Sequence, residues 1–147
     1  KYHHIYQGVN SRLDEMQAGL LRVRLNHADE MGKERIKIAE RYTVELKNPK
    51  IEIPKVRENC TAVWHQYVIR CEERDRLIEY LDEKGIGTII HYPIPPHLSE
   101  AYAYLGMKEG DLPITEHLAK TVLSIPIYNG MTQQEQTTVI EAINAFV

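Results

Sequence analysis

"AVWHQYVIRCEERDRLIEYLDEKGIGTIIHY", residues 62–92, sets two apolar runs around one amphipathic segment. Ala62–Arg70 is rich in β-branched and aromatic residues, which predicts a central strand. In residues 73–85, Leu77, Ile78 and Leu81 recur at helical spacing, and Gly85 stands where a left-handed residue ends a helix. Residues 86–92 return to an apolar, β-branched run that predicts a second strand, ending at a proline loop. Strand, helix, strand is therefore the centre of the chain.

Upstream, Ser11-Arg12-Leu13-Asp14 fits a capping box and predicts a helix start. Leu13, Met16, Leu20 and Val23 follow at steps of three and four, and the pattern resumes at Ala28 and Met31 through Ile36, Ala39, Tyr42 and Leu46. This predicts one long helix or two nearly collinear ones, irregular at Asn26 or Gly32 and ended by Asn48-Pro49. Ile51–Pro54 reads as a short edge strand. Downstream the sequence predicts a short helix near Ser99–Leu105, a loop over 106–113, a helix over Ile114–Thr121 and a strand-like run "VLSIPIY". Thr132-x-x-Glu135 caps a last helix whose core face is Val139, Ile140, Ile143 and Phe146. The order predicts an α+β domain over residues 1–147, with helices packed on one face of a small, mostly antiparallel sheet.

The chain has 147 residues, enough for one core, with 43% hydrophobic and 27% charged residues. Its 18 Lys and Arg against 21 Asp and Glu give a formal charge of −3. That balance gives no support to a nucleic-acid or membrane-surface role, which calls for a basic excess. No apolar run approaches the ~18 residues of a membrane span. Cys60 and Cys71 are too far apart for a Cys-x-x-Cys site and read as reduced thiols of a cytoplasmic protein. The opening "KYHHIYQGVNSR", without an initiator Met, reads as a piece of a longer protein.

No Gly-x-Ser-x-Gly and no Gly-rich phosphate loop is present. His65, His91 and His97 lie in or beside the expected strands, but without His-x-x-x-His spacing a structural role outweighs a metal site. Two places carry chemistry worth weighing. In "GVNSR", Asn10 and Arg12 flank the expected helix start, where free N–H groups attract anions and a guanidinium can grip phosphate. Taken alone, these residues favour a plainer account in which Ser11 caps, Asn10 turns and Arg12 is solvated. In "HYPIPPH", residues 91–97, prolines stiffen a loop carrying two imidazoles and a phenol. A ligand wall and a stiff surface turn stand equal there.

In order along the chain, "YHHIYQGVNSRLDEMQAGLLRVRL", "WHQYVIR", "LIEYLDEKGIGTIIHYPIPPHL", "AY", "LPITEHLAKTVLSIPIY" and "MTQQE" resemble the DegT/DnrJ/StrS family of aminotransferases. The resemblance covers essentially the whole chain. It implies enzymes that use pyridoxal 5′-phosphate (PLP) to place amino groups on nucleotide-linked keto-sugars, with glutamate a usual donor. It implies type I aminotransferase architecture, of which this chain matches the small C-terminal domain and the long inter-domain helix. The Schiff-base lysine and the groups around the pyridine ring belong to the large domain, and no motif here matches them. No catalytic residue is therefore nominated, and the chain alone is expected neither to hold PLP nor to transaminate.

By the same resemblance, Gly8, Asn10 and Arg12 fill a Gly-x-Asn-x-Arg pattern. Its Asn reaches the phosphate of PLP in the partner subunit of a homodimer, and its Arg supports it. His91, Tyr92 and His97 fill the His-Tyr-Pro-x-Pro-x-His loop that borders the sugar-nucleotide pocket. Rival readings are a PLP-dependent sugar dehydratase of the same family, a non-enzymatic regulatory protein, and a stand-alone binding or dimerisation module. The residues that separate the first of these from an aminotransferase lie outside the chain.

Overall fold

The computed structural model describes residues 2–147. Its elements are α1 (Glu15–Leu25), α2 (Ala28–Glu45), β1 (Tyr67–Arg70), α3 (Arg74–Glu83), α4 (Pro113–Thr121), β2 (Val122–Ile125) and α5 (Gln133–Asn144). Two 3-10 turns, Pro96–Leu98 and Glu100–Leu105, lie between α3 and α4. The class is the expected α+β one.

The leading helical pattern is two helices, broken at Asn26 and His27, one of the two expected positions. The start differs: the cap is Asp14 rather than Ser11, and its carboxylate accepts the Gln17 N–H at 2.8 Å. Leu13 adopts φ 68, a left-handed turn that no helix can include, so the chain between Ser11 and Asp14 stays irregular. Helices α3, α4 and α5 fall within a residue of their expected starts, and α5 carries the full Thr132–Glu135 capping box.

The sheet is smaller than the sequence suggests. Strands β1 and β2 pair antiparallel, with Tyr67 opposite Ile125 and Arg70 opposite Val122. The expected strands at 51–54 and 86–92 shrink to single bridges, Glu52 to Arg70 and Ile89 to Ser124. Prolines explain part of this, because Pro54 and Pro126 have no N–H with which to prolong a ladder. The run Ala62–Gln66 is not strand either. Trp64 sits at φ 48, and the Arg35 guanidinium takes the carbonyls of Trp64 and His65 at 3.1 and 3.2 Å.

The core lies where the inner faces of the helices meet the sheet. Tyr67 and Ile69 of β1 and Leu123 and Ile125 of β2 join Tyr42 of α2, Leu77 and Leu81 of α3, and Val139, Ile140 and Ile143 of α5. The alternation along β1, with Val68 and Arg70 only half buried, is that of a sheet covered on one face. Helix α1 buries none of its residues: Met16, Leu20, Val23 and Leu25 are 65–79% exposed. No helix among the described residues is long and apolar enough to cross a membrane.

Candidate functional site

The segment 89–99 leaves β2's edge at Ile89 and runs through three prolines, so its path is set by fixed φ angles rather than by a ladder. Three ties hold it. His91 Nδ1 lies 2.9 Å from Ser124 Oγ on β2. His97 Nε2 donates to Glu116 Oε1 at 3.0 Å. Ser99 Oγ donates to the carbonyl of His4 at 2.8 Å, beside the Ala101 N–H, which donates to the same oxygen at 2.9 Å. The His91–Tyr92 bond is cis.

The amino-terminal segment is therefore part of this site. Tyr2 packs edge-on against the rings of both His91 and Tyr92, at centroid distances of 6.1 and 5.4 Å. In sequence, Asn10 and Arg12 follow a few residues after this segment. Tyr2 and His4 thus tie the amino-terminal segment to the proline loop, and Gln7 Nε2 donates to the Ala101 carbonyl at 3.5 Å just beyond it.

Each nominated residue then finds its place. Tyr92 is 59% exposed, and His91 is half buried over a cleft of about 280 Å³ that it shares with His65, Gln66, Ile89 and Ser124. Asn10 and Arg12 are exposed and hydrogen-bond to none of the described residues. At the start of α1 the Asp14 carboxylate takes one first-turn amide, the Gln17 N–H. His97 departs from the wall position expected of it. It is 5% exposed, turned inward onto Glu116, and its Nδ1 has no partner among the described residues. The three histidines do not gather: His65 and His91 share the cleft while His97 sits on Glu116. Among the described residues no group of three His, Cys, Asp or Glu side chains is placed to hold a metal.

Glu116 was not among the nominated residues, and it organises this region. Its carboxylate accepts the Gly110 N–H at 3.0 and 2.8 Å and the Leu112 N–H at 3.1 Å, besides His97. The Gly110 amide, foremost, holds its carboxyl below the usual range, with burial pulling the other way. The sequence shows only an acid three positions before Ala119 on the expected helix; that Glu116 is buried is seen in the structure. A second hub lies on α2. Arg35 donates to Asn129 Oδ1 at 3.0 Å and to the Ile127 carbonyl at 3.2 Å, and Glu34 accepts from Asn129 Nδ2 and the Gly130 N–H, both at 2.8 Å. These contacts fix α2 against the turns that precede β1 and follow β2.

A small α+β domain carrying a tyrosine- and histidine-bearing proline loop defines the class, and comparison with known proteins gives the family. The DegT/DnrJ/EryC1/StrS aminotransferase family matches over residues 1–144. The chain is 44% identical over 146 residues to the erythromycin biosynthesis sensory transduction protein EryC1 of Saccharopolyspora erythraea, covering 99% of this chain and 40% of that protein. It is 41% identical to the dTDP-3-amino-3,6-dideoxy-alpha-D-galactopyranose transaminase of Aneurinibacillus thermoaerophilus, covering 99% of this chain and 40% of that protein. The crystal structure of DesV from S. venezuelae superposes with a TM-score of 0.87 at 43% identity, covering 98% of this chain and 39% of that one. The chain belongs to the DegT/DnrJ/EryC1/StrS aminotransferase family, and it spans about two-fifths of the length of these relatives.

Proposed function

We propose that this chain is the C-terminal part of a PLP-dependent aminotransferase that moves an amino group from an amino acid, glutamate in the first instance, to a nucleotide-linked keto-sugar. The observation that carries the reading is the 41% identity to a dTDP-sugar transaminase over 99% of the chain. In this reading the chain supplies positioning and anion binding, and the proton-transferring groups belong to the remainder of the protein.

The donor set fits the cofactor's phosphate. Asn10 offers an amide N–H₂ and Arg12 a planar fork of N–H groups, both exposed and neither engaged by a described residue. The chemistry PLP supplies when bound is an electron sink for amino-group transfer. From across a two-fold interface Asn10 would donate a hydrogen bond to its phosphate and Arg12 would offset its charge. Tyr92 and His91 would face the substrate, offering a phenol and an imidazole to sugar hydroxyls or diphosphate oxygens. The prolines at 93, 95 and 96 hold these groups in place beforehand, which lowers the ordering cost of binding.

The test is turnover by the full-length protein loaded with PLP. Given glutamate and a panel of dTDP- and UDP-linked keto-sugars, it should form an amino-sugar nucleotide and an equal amount of 2-oxoglutarate. A second reading has its own observation: EryC1 carries a sensory-transduction name, and a relative from Geobacillus stearothermophilus, 42% identical over 149 residues, is called a pleiotropic regulatory protein. A protein that takes up no PLP and turns over no member of the panel would favour that regulatory reading. Consumption of the sugar without 2-oxoglutarate would favour a dehydratase.

A further inference from the structure

We propose that Glu116 is the positioning residue of the proline loop, acting through His97 to hold Tyr92 in place. Only the identity of what Tyr92 meets rests on the aminotransferase reading; the positioning itself stands on geometry.

The loop is tied at its start by His91 to Ser124 and at its end by Ser99 and Ala101 to His4. Between these ties lie Tyr92 to Leu98. Prolines 93, 95 and 96 have no N–H to give, and the backbone bonds of this stretch are local, Leu98 to Pro95 and Ser99 to Pro96. Among the described residues, the side-chain hydrogen bond that anchors the middle of the loop to the body of the domain is that of His97 to Glu116.

Both partners are withdrawn from solvent, Glu116 at 6% and His97 at 5% exposure. The anchor is firm on one side only. Glu116 sits in the first half of α4 and is fixed by the Gly110 and Leu112 amides, so its oxygens are placed whether or not His97 is there. His97 has no such redundancy. Its Nε2 donates to Glu116, which sets the ring's orientation, and its Nδ1 is buried without a partner among the described residues. Removing Glu116 would leave a buried imidazole with neither nitrogen bonded, and the ring must then turn outward and carry the loop with it. The same carboxylate joins the 106–112 turn to the proline loop, so one residue sets the relation of two otherwise unladdered segments.

The experiment compares Glu116→Ala, Glu116→Gln and His97→Gln in the full-length protein by amide hydrogen exchange and by kinetics. Exchange at Leu98 and Ser99, whose amides bond the Pro95 and Pro96 carbonyls, should quicken by about tenfold or more in Glu116→Ala, with the β1 amides at 67–70 unchanged. With the nucleotide-sugar, KM should rise by about tenfold at nearly constant kcat, while the reaction with the amino donor alone is untouched. His97→Gln keeps an N–H donor for Glu116 and should stay within about threefold of wild type in both readings. Should Glu116→Ala fail to fold, His97→Ala serves, since it removes the same bond from the loop's side, and loop exchange should quicken as in Glu116→Ala, whereas Glu116→Gln keeps an acceptor for His97 and should quicken mainly 110–112. Unchanged loop exchange in Glu116→Ala overturns the proposal. So does a His97→Gln protein with wild-type exchange but lost sugar use, which would make His97 a direct contact. Loop exchange needs no substrate, so a wild-type protein without turnover would count against the aminotransferase reading and leave the exchange data to decide the positioning role.

Discussion

His97 and Tyr92 stand five positions apart on one loop and face opposite ways, and periodicity offers no rule for this because three prolines between them break any repeat. The residue types were legible as a polar-tipped, rigid loop. Which tip is outward was not, since that depends on Glu116, nineteen positions away on another element. Tyr92, 59% exposed, is the residue left to meet a ligand, and His91 stands beside it, braced by Ser124. On the aminotransferase reading, Tyr92→Phe in the full-length protein should lower kcat/KM for the nucleotide-sugar while leaving the bound cofactor's absorption spectrum unchanged. A lost hydrogen bond to a charged diphosphate is worth about 1.5–3 kcal/mol, roughly ten- to a hundredfold. Unchanged kinetics would reduce the loop to a stiff surface turn.

At the scale of elements, what was legible follows from which forces are local. Helices α3, α4 and α5 were readable because their stripes, caps and stops lie within a few residues of one another. The strands are shorter than the sequence predicts because pairing is a tertiary event. Residues 62–66 have the composition of a strand, yet Arg35, some thirty positions earlier, takes two of their carbonyls. Helix α5 shows how local chemistry sets stability. Thr132 Oγ1 accepts the Glu135 N–H at 3.2 Å, and Glu135 accepts from the Thr132 N–H at 2.7 Å. Thr132→Ala should therefore cost about 1 kcal/mol in urea unfolding of the chain. The Thr132 amide, first among its partners, holds the Glu135 carboxyl below its ordinary value, and Asn129 does the same for Glu34. A carboxyl depressed in the folded state stabilises fully above its unfolded pKa, about 4.3, and that contribution is lost as pH falls through the lower folded value. The urea midpoint should hold level from neutral pH to about 5 and then decline. In Glu34→Gln the decline should be shallower; an identical slope would show that Glu34 carries no such linkage.

For the molecule as a whole, three exposed features follow one another at the amino-terminal end: Asn10, Arg12 and the uncovered apolar stripe of α1. A row of Met16, Leu20 and Val23 open to water is a surface that calls for a covering partner. Asn10 and Arg12 just before it are donors that hydrogen-bond to none of the described residues. The sequence shows these residues but not their isolation, which depends on where the rest of the fold lies; the Asp14 cap itself was legible as Asp14-x-x-Gln17. On the proposed reading their anion belongs to a second subunit, and each active site is built from two chains of a symmetric dimer. Subunit mixing decides it. Full-length subunits bearing Asn10→Ala and Arg12→Ala are combined with subunits lacking the cofactor-binding lysine of the remainder of the protein, each inactive alone. If the sites are shared, a mixed dimer holds one site with both lesions and one with neither, and activity returns to about half of wild type per mixed dimer. If Asn10 and Arg12 serve their own subunit, every site in the mixture is damaged. Persistent inactivity in a mixture shown by mass to have exchanged subunits would end the shared-site reading.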